Sequence, residues 1–335
     1  MRLAGIALII LSFSLHSVRA VSNPPDSLRT CRKAFLFKTD DYAVANTIDI
    51  CRNAAQVPVG YETALNMAVC DDKLCANVLL KICWDLAGNF VRFDTIAGKP
   101  LTKFDHKRFN AADYKKLDHI LKDRNSMLRV LEKSDLVYKS IKLKATSVDA
   151  VSGATPATIK KAVVEGAVYS SHTLWHFVNG QIKDSIRAFT LRNYSEQIAL
   201  QMLESDNFET QLFALKQIPQ EQYVSHFEML FQVIRKSSPL IRSYILNRAP
   251  LPFHDQEKNR KLALLFPDLD GYTKSVFFDR ITAVKIIAVV FIPLMLPHFQ
   301  SLDQRQQDKL ITQVQKFEIS GMEELIKNYA GGNKQ

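Results

Sequence analysis

The feature that most restricts the fold of this chain is a change of texture near Arg192. Before it, short apolar runs alternate with tight polar breaks. After it, helix-length amphipathic segments follow one another and are interrupted at Pro219, Pro239, Pro250, Pro252 and Pro267. Proline lacks the backbone donor a helix interior needs, so each of these breaks ends a segment. A chain divided in this way predicts two layers of different kind: a mixed α and β domain over residues 21–190 and an all-α domain over residues 191–335.

Within the first part, Ala64–Cys70 and Ala76–Trp84 are apolar runs on either side of Asp71-Asp72-Lys73, which predicts two strands joined by a turn. Gly88-Asn89 supplies a second turn, Phe90–Ile96 alternates as a strand does, and Gly98-Lys99-Pro100 ends it. Asn110-Ala111-Ala112-Asp113 then opens a helix expected to run to about Leu131, with Tyr114, Leu117, Ile120 and Leu121 on one face. In the second part, segments beginning at Asp206, Ser238 and Lys274 overlay loosely, their starts about 32 and 36 residues apart. That spacing suits a helical repeat of stacked hairpins, with an irregular helical bundle as the alternative. Ile286–Pro297 is the most apolar stretch of the tail, but it is short, closely preceded by Arg280 and Lys285, and cut by Pro293. It reads as a core helix rather than a membrane span.

The ends of the chain and its cysteines bear on where it works. Met1-Arg2 is a basic start, Leu3–Leu15 is apolar, and Val18-Arg19-Ala20 places small residues where a signal peptidase reads, so residues 1–20 are expected to be a signal peptide cleaved after Ala20. A retained N-terminal anchor is the alternative, and Val21 in place of Cys argues against lipidation. The five cysteines, Cys31, Cys51, Cys70, Cys75 and Cys83, lie together, and in a periplasmic or otherwise extracytoplasmic protein they predict disulfides with at least one thiol left over. Their spacing matches neither a thioredoxin-type pair nor a zinc quartet; structural cysteine is the expected role, and a thiol relaying electrons the alternative. The formal charge of +10 is dispersed among acidic neighbours. It gives no stripe for nucleic acid and supports at most peripheral attraction to anionic lipid or to an acidic partner.

The residues that carry chemistry are Asp149-Ala150-Val151-Ser152-Gly153-Ala154-Thr155. Pro156 follows, and Ala157–Tyr169 is expected to be a helix, which would put the Thr155 hydroxyl at its N-terminus, among unpaired N–H groups that favour a phosphodiester. Gly153 and Ala154 leave room for close approach to the backbone. The bland alternative is a helix cap preceded by a turn. The segment matches D-x-x-[ST]-G-A-[ST] and resembles the attachment motif of the FMN-binding domain family. The resemblance implies an FMN-binding domain at the N-terminal side of an all-α domain, FMN bonded through its phosphate to Thr155, and recognition by a flavin transferase through Asp149, Ser152, Gly153 and Ala154. Five fixed positions recur by chance on the order of once in a thousand chains of this length.

On the same stretch, Trp175 or Phe177 is a candidate to cover the flavin ring. His172 and His176, four residues apart, share a helical face that suits a metal or a haem iron, although a structural face that packs Trp175 against the strands, with the histidines bonded or solvated, is the favoured reading. Asp105-His106 is a further loop pair that could tune a flavin, with a surface role favoured. No serine triad, phosphate-binding glycine loop or catalytic carboxylate pair stands out. The sequence therefore predicts an exported electron-transfer flavoprotein with an unknown redox partner. The rival readings are a non-redox helical interaction protein and a metal or haem carrier built on His172 and His176.

Overall fold

The computed structural model describes residues 29–38, 45–69, 77–136, 159–251, 255–281 and 291–319. Five strands, β1 (Thr30–Phe37), β2 (Asn46–Arg52), β3 (Pro58–Met67), β4 (Val78–Trp84) and β5 (Phe90–Thr95), form one antiparallel sheet in sequence order. The period-2 pattern explains its inner face: Tyr61, Thr63, Leu65 and Met67 of β3 stand opposite Trp84, Ile82, Leu80 and Val78 of β4, and all eight are buried. The strands expected around Leu65, Leu80 and Phe93 are present. β1 and β2 were not expected, because Arg32, Lys33, Asn46 and Asp49 break up their apolar content.

Gly88 makes the β4–β5 connection, at φ 74° with its N–H donating to the Asp85 carbonyl at 3.0 Å. The Asp85 carboxylate accepts from the N–H groups of Ala87 and Asn89, each at 2.8 Å, which closes the turn. A side chain on Gly88 would also meet the Lys183 carbonyl oxygen at 2.8 Å, so this turn lies hard against the helix that carries Lys183.

Helix α1 (Ala111–Lys122) begins at Asn110 in a capping box with Asp113, as the sequence implies. It stops nine residues short of the expected Leu131. Asp123 leaves helical conformation and its carboxylate accepts from the Asn125 N–H at 3.0 Å, while Ser126 caps a separate 3-10 turn over Met127–Val130. Local side-chain-to-backbone bonds outcompete the helix there.

A second difference concerns Ala157–Tyr169. Residues 159–167 form turns rather than helix, and helix α2 (Val168–Asn179) starts only at Val168. Gly166 has φ 73°, its carbonyl accepts from the Phe104 N–H at 2.7 Å, and the Val164 N–H donates to the Ser171 hydroxyl at 3.0 Å. These tertiary bonds hold the backbone out of helical register. Thr155 and the rest of its motif lie outside the described residues, and no helix among the described residues begins next to it.

Helix α2 packs on the sheet: Phe177 lies 6.0 Å from Trp84 and 6.1 Å from Phe37 between ring centroids, and the Trp84 indole N–H donates to the Val178 carbonyl at 3.0 Å. Helix α3 (Gln181–Arg192) follows after Gly180 and is fixed by the Tyr61 hydroxyl, which donates to Thr190 at 2.8 Å while Thr190 donates to the Leu86 carbonyl at 2.8 Å. The all-α part contains α4 (Glu196–Leu203), α5 (Phe208–Gln217), α6 (Phe227–Lys236), α7 (Pro239–Arg248), α8 (Gln256–Leu265), α9 (Gly271–Ile281) and α10 (Gln304–Phe317). The three overlaid segments fall on α5, α7 and α9. These alternate helices touch in succession, with α10 against α9, while α6 meets α8, so the helices form two rows. Residues 291–295 are helical and Phe291, Ile292 and Met295 are fully buried, in keeping with a core role for that stretch. Among the described residues no helix is long and apolar enough to cross a membrane.

The sheet is closed at its edge by a disulfide between Cys31 and Cys51, directly opposed residues of β1 and β2 that are 20 positions apart. Linking them removes loop-closure entropy from the unfolded chain, worth about 3 kcal/mol for a loop of this size. Reduction, or the double change Cys31→Ser and Cys51→Ser, is expected to lower unfolding stability by roughly that amount while the far-ultraviolet spectrum stays native. Urea titration with and without reductant measures the difference.

Candidate functional site

Helix α2 carries no charged residue, and nine of its twelve residues are buried. One side faces the sheet through Phe177. The opposite side presents His172, Trp175, His176 and Asn179, spaced as a helical face requires, and each one binds a backbone carbonyl of the stretch from Leu121, near the end of α1, to Leu131, just after the 3-10 turn. His172 Nε2 reaches the Leu131 carbonyl at 2.7 Å and His176 Nε2 the Leu128 carbonyl at 2.8 Å. Trp175 Nε1 donates to the Asp123 carbonyl at 2.8 Å, and the Asn179 amide to the Leu121 carbonyl at 3.1 Å. A ladder of four side-chain donors thus satisfies the Leu121 and Asp123 carbonyls at the end of α1 and the Leu128 and Leu131 carbonyls of the 3-10 turn and its cap.

The carbonyl partners assign both imidazoles the Nε2–H tautomer. His172 Nδ1 is buried without a partner, and the two rings lie 4.3 Å apart between centroids. Burial holds His172 below its ordinary value near 6.5, the bond to Leu131 acts against that, and the neighbouring His176 adds to it. The histidines are bonded, as the favoured structural reading expects, but Trp175, which that reading packs against the strands, is bonded on the opposite side to the Asp123 carbonyl. Both Nε2 atoms are engaged, so neither is available to a metal or a haem iron in this arrangement.

Beside this ladder opens a cleft of about 590 Å³, bordered by Arg124, Arg129, Trp175, His176, Lys183, Arg187, Phe208 and Glu209 among others. Its wall includes the Glu209 carboxylate, in the first turn of α5. Oε2 of Glu209 is paired with Arg124, lies 3.4 Å from Lys183 Nζ and 3.9 Å from Arg187 Nη2. Burial alone would raise Glu209, but the Arg124 hydrogen bond and the charges of Lys183 and Arg124 outweigh it and hold the carboxyl below its ordinary range. Lys183 is lowered, by burial first and then by the Arg124 and Arg187 charges. Behind the cleft, Arg124 donates to Asn89 Oδ1 at 3.1 Å, Asn89 donates to Asp85 at 3.0 Å and to Thr210 at 2.9 Å, and Thr210 donates to Asp85. This network ties the β4–β5 turn to α5.

No family model matches this chain, and no curated protein or solved structure matches it. The arrangement must therefore be read from its own chemistry.

The sequence-predicted residues are distributed as follows. Asp149, Ser152, Gly153, Ala154 and Thr155 lie outside the described residues. Trp175 is 3% exposed with its N–H committed to Asp123, and it contributes to the wall of the basic cleft. His106 is exposed, at φ 54° in a 3-10 turn, and Phe104 beside it packs on Tyr169. Cys83 is a buried thiol, which burial pushes up to about 11, away from the reactive thiolate form. Cys83 and the Cys51 side of the disulfide line a second cavity of about 600 Å³ between the sheet and α4–α5, and Cys70 and Cys75 are outside the described residues. The only potential metal cluster among the described residues is Cys31, Cys51 and Glu62, and its two sulfurs are spent in the disulfide. Sequence reading missed Arg124, Lys183, Arg187 and Glu209. The available signal was slight: Lys183 and Arg187 share a helical face, and Glu209 follows the Asn207 cap.

Two outcomes are expected from the ladder. Trp175→Phe leaves the Asp123 carbonyl without its buried donor and should cost about 1–3 kcal/mol, read as a shifted urea midpoint. The second concerns pH. The unfolded His172 takes up a proton near 6.5 while the folded one resists, so the unfolded chain holds more protons between the lowered folded value and 6.5, and stability falls as pH is reduced through that window. His172→Gln should flatten this part of the pH–stability curve.

Proposed function

We propose that this chain is an extracytoplasmic flavoprotein that holds FMN on Thr155 and passes electrons to or from a partner protein, with the helical rows as the docking part. The observation that carries the reading is the register of Asp149, Ser152, Gly153, Ala154 and Thr155, the only hydroxyl acceptor in phase with that pattern. Several features support it. Leu136 before the motif and Ile159 after it are both buried, so the domain holds the chain on either side of the motif in sequence. Just after the motif, the Lys160 carbonyl accepts from Lys116 Nζ at 3.0 Å, and Val164 and Gly166 are bonded to α2 and to Phe104. Lys160 and Lys161 are exposed beside this anchor, a charge that suits an anionic phosphodiester. The Cys31–Cys51 disulfide favours an oxidising compartment, where a diffusible cofactor would be lost and a bonded one retained.

The FMN, when attached, supplies one- and two-electron redox chemistry. The protein's part is to hold it near a surface that a partner can reach. A non-redox interaction protein is the second reading, favoured by the succession of α5, α7 and α9. Coexpression with a flavin transferase should add the mass of one FMN unit to the full chain. Thr155→Val should abolish the added mass without altering thermal unfolding, and Asp149→Ala should reduce loading. Added mass that survives Thr155→Val overturns the site, and absence of any covalent flavin selects the interaction reading.

A further inference from the structure

We propose that the cleft around Arg129, Lys183 and Arg187 is a binding site for a phosphate-bearing small molecule, with Glu209 as its built-in counterion. The inference does not depend on Thr155. Three cations converge on one carboxylate: Arg124, Lys183 and Arg187 all approach the same oxygen of Glu209. One negative charge leaves that group in excess of positive charge in a partly desolvated place, where unneutralised charge is costly. Arg129 adds a further guanidinium at the rim, is exposed, and forms no ion pair among the described residues. Asp123 is the other acid in the wall, and its carboxylate is engaged by the Asn125 N–H. A dianionic phosphoryl group is the ligand that would balance such a set, and guanidinium forks match its oxygens.

The shape of the cleft argues for more than an ion. Its volume of about 590 Å³ far exceeds what bare phosphate fills, and it falls within the roughly 300–1,000 Å³ of small-molecule sites. Phe208, 43% exposed at the rim, and the Trp175 edge provide an aromatic wall for a planar organic part. The floor is rigid, since Arg187 also donates to the Ala87 carbonyl at 3.0 Å and Arg124 to Asn89 at 3.1 Å. The two fixed guanidiniums hold the Glu209 counterion, and Lys183 and Arg129 are the groups that can turn to an incoming anion.

The test uses the full chain in phosphate-free buffer at constant ionic strength, titrated calorimetrically with inorganic phosphate, adenosine 5′-monophosphate and adenosine. The nucleotide should bind more tightly than phosphate, and adenosine should not bind measurably. Arg129→Gln, an exposed change that leaves the floor intact, should weaken nucleotide binding several-fold, and the pair Arg129→Gln with Lys183→Gln by about tenfold or more. Glu209→Gln, which removes the competing carboxylate, should tighten it, provided its unfolding curve remains cooperative. No heat from either phosphate compound up to about 10 mM, together with no rise in the unfolding midpoint at the same concentration, overturns the proposal. So does nucleotide affinity unchanged in Arg129→Gln with Lys183→Gln. Adenosine binding as tightly as its monophosphate also overturns the phosphate assignment.

Discussion

The structure depends on burying helix α2 on both sides at once. Toward the sheet it offers Phe177 against Trp84 and Phe37, and receives the Trp84 N–H on its Val178 carbonyl. Away from the sheet it offers four polar side chains whose donors meet the carbonyls of Leu121, Asp123, Leu128 and Leu131. A helix without charge is stable only when enclosed, and this one is enclosed by apolar contact on one side and hydrogen bonds on the other. The early end of α1, set locally at Asp123 and Ser126, leaves carbonyls that α2 satisfies. The Leu121 and Asp123 carbonyls, which a longer α1 would have used within its own helix, are instead taken by α2.

That arrangement also joins the two parts of the chain. The Asp85–Asn89–Thr210 network and the Arg124–Glu209 pair run from the mixed domain to α5, and Arg187 of α3 lies over the Phe213 ring of α5 at 5.7 Å. Residues near the 190/191 boundary read from the sequence are thus spanned by polar and aromatic contacts, and the boundary itself falls two residues before the end of α3. Loss of any one partner would strand the others, because the groups are partly buried and bonded in series.

The same junction concentrates charge. The chain as a whole disperses its +10, yet folding gathers Arg124, Lys183 and Arg187 around one carboxylate. Dispersed charge in a sequence says nothing of such a cluster, since its members come from the segment after α1, from α3 and from α5. The flavin reading stands apart from this cluster and rests on a local signal, in which spacing alone carries the chemistry.

The sequence by itself determined the change from strands to helices, the β3–β4 pairing, the Gly88 turn, the Asn110 cap, and the succession of helices at α5, α7 and α9. These follow from local rules: period-2 burial, turn and cap chemistry, and proline as a helix breaker. It also carries the D-x-x-[ST]-G-A-[ST] register at Asp149–Thr155, on which the flavin proposal rests. Only the tertiary structure decided that α1 ends at Lys122, that residues 159–167 are held as turns, that Cys31 pairs with Cys51, that His172 and His176 serve carbonyls, and that a basic cleft exists. Apart from the end of α1, which local bonds at Asp123 and Ser126 set, each of these rests on contacts between residues distant in sequence. For residues 159–167 and the two histidines, the distant partner prevails because the bond satisfies a polar group held against the core.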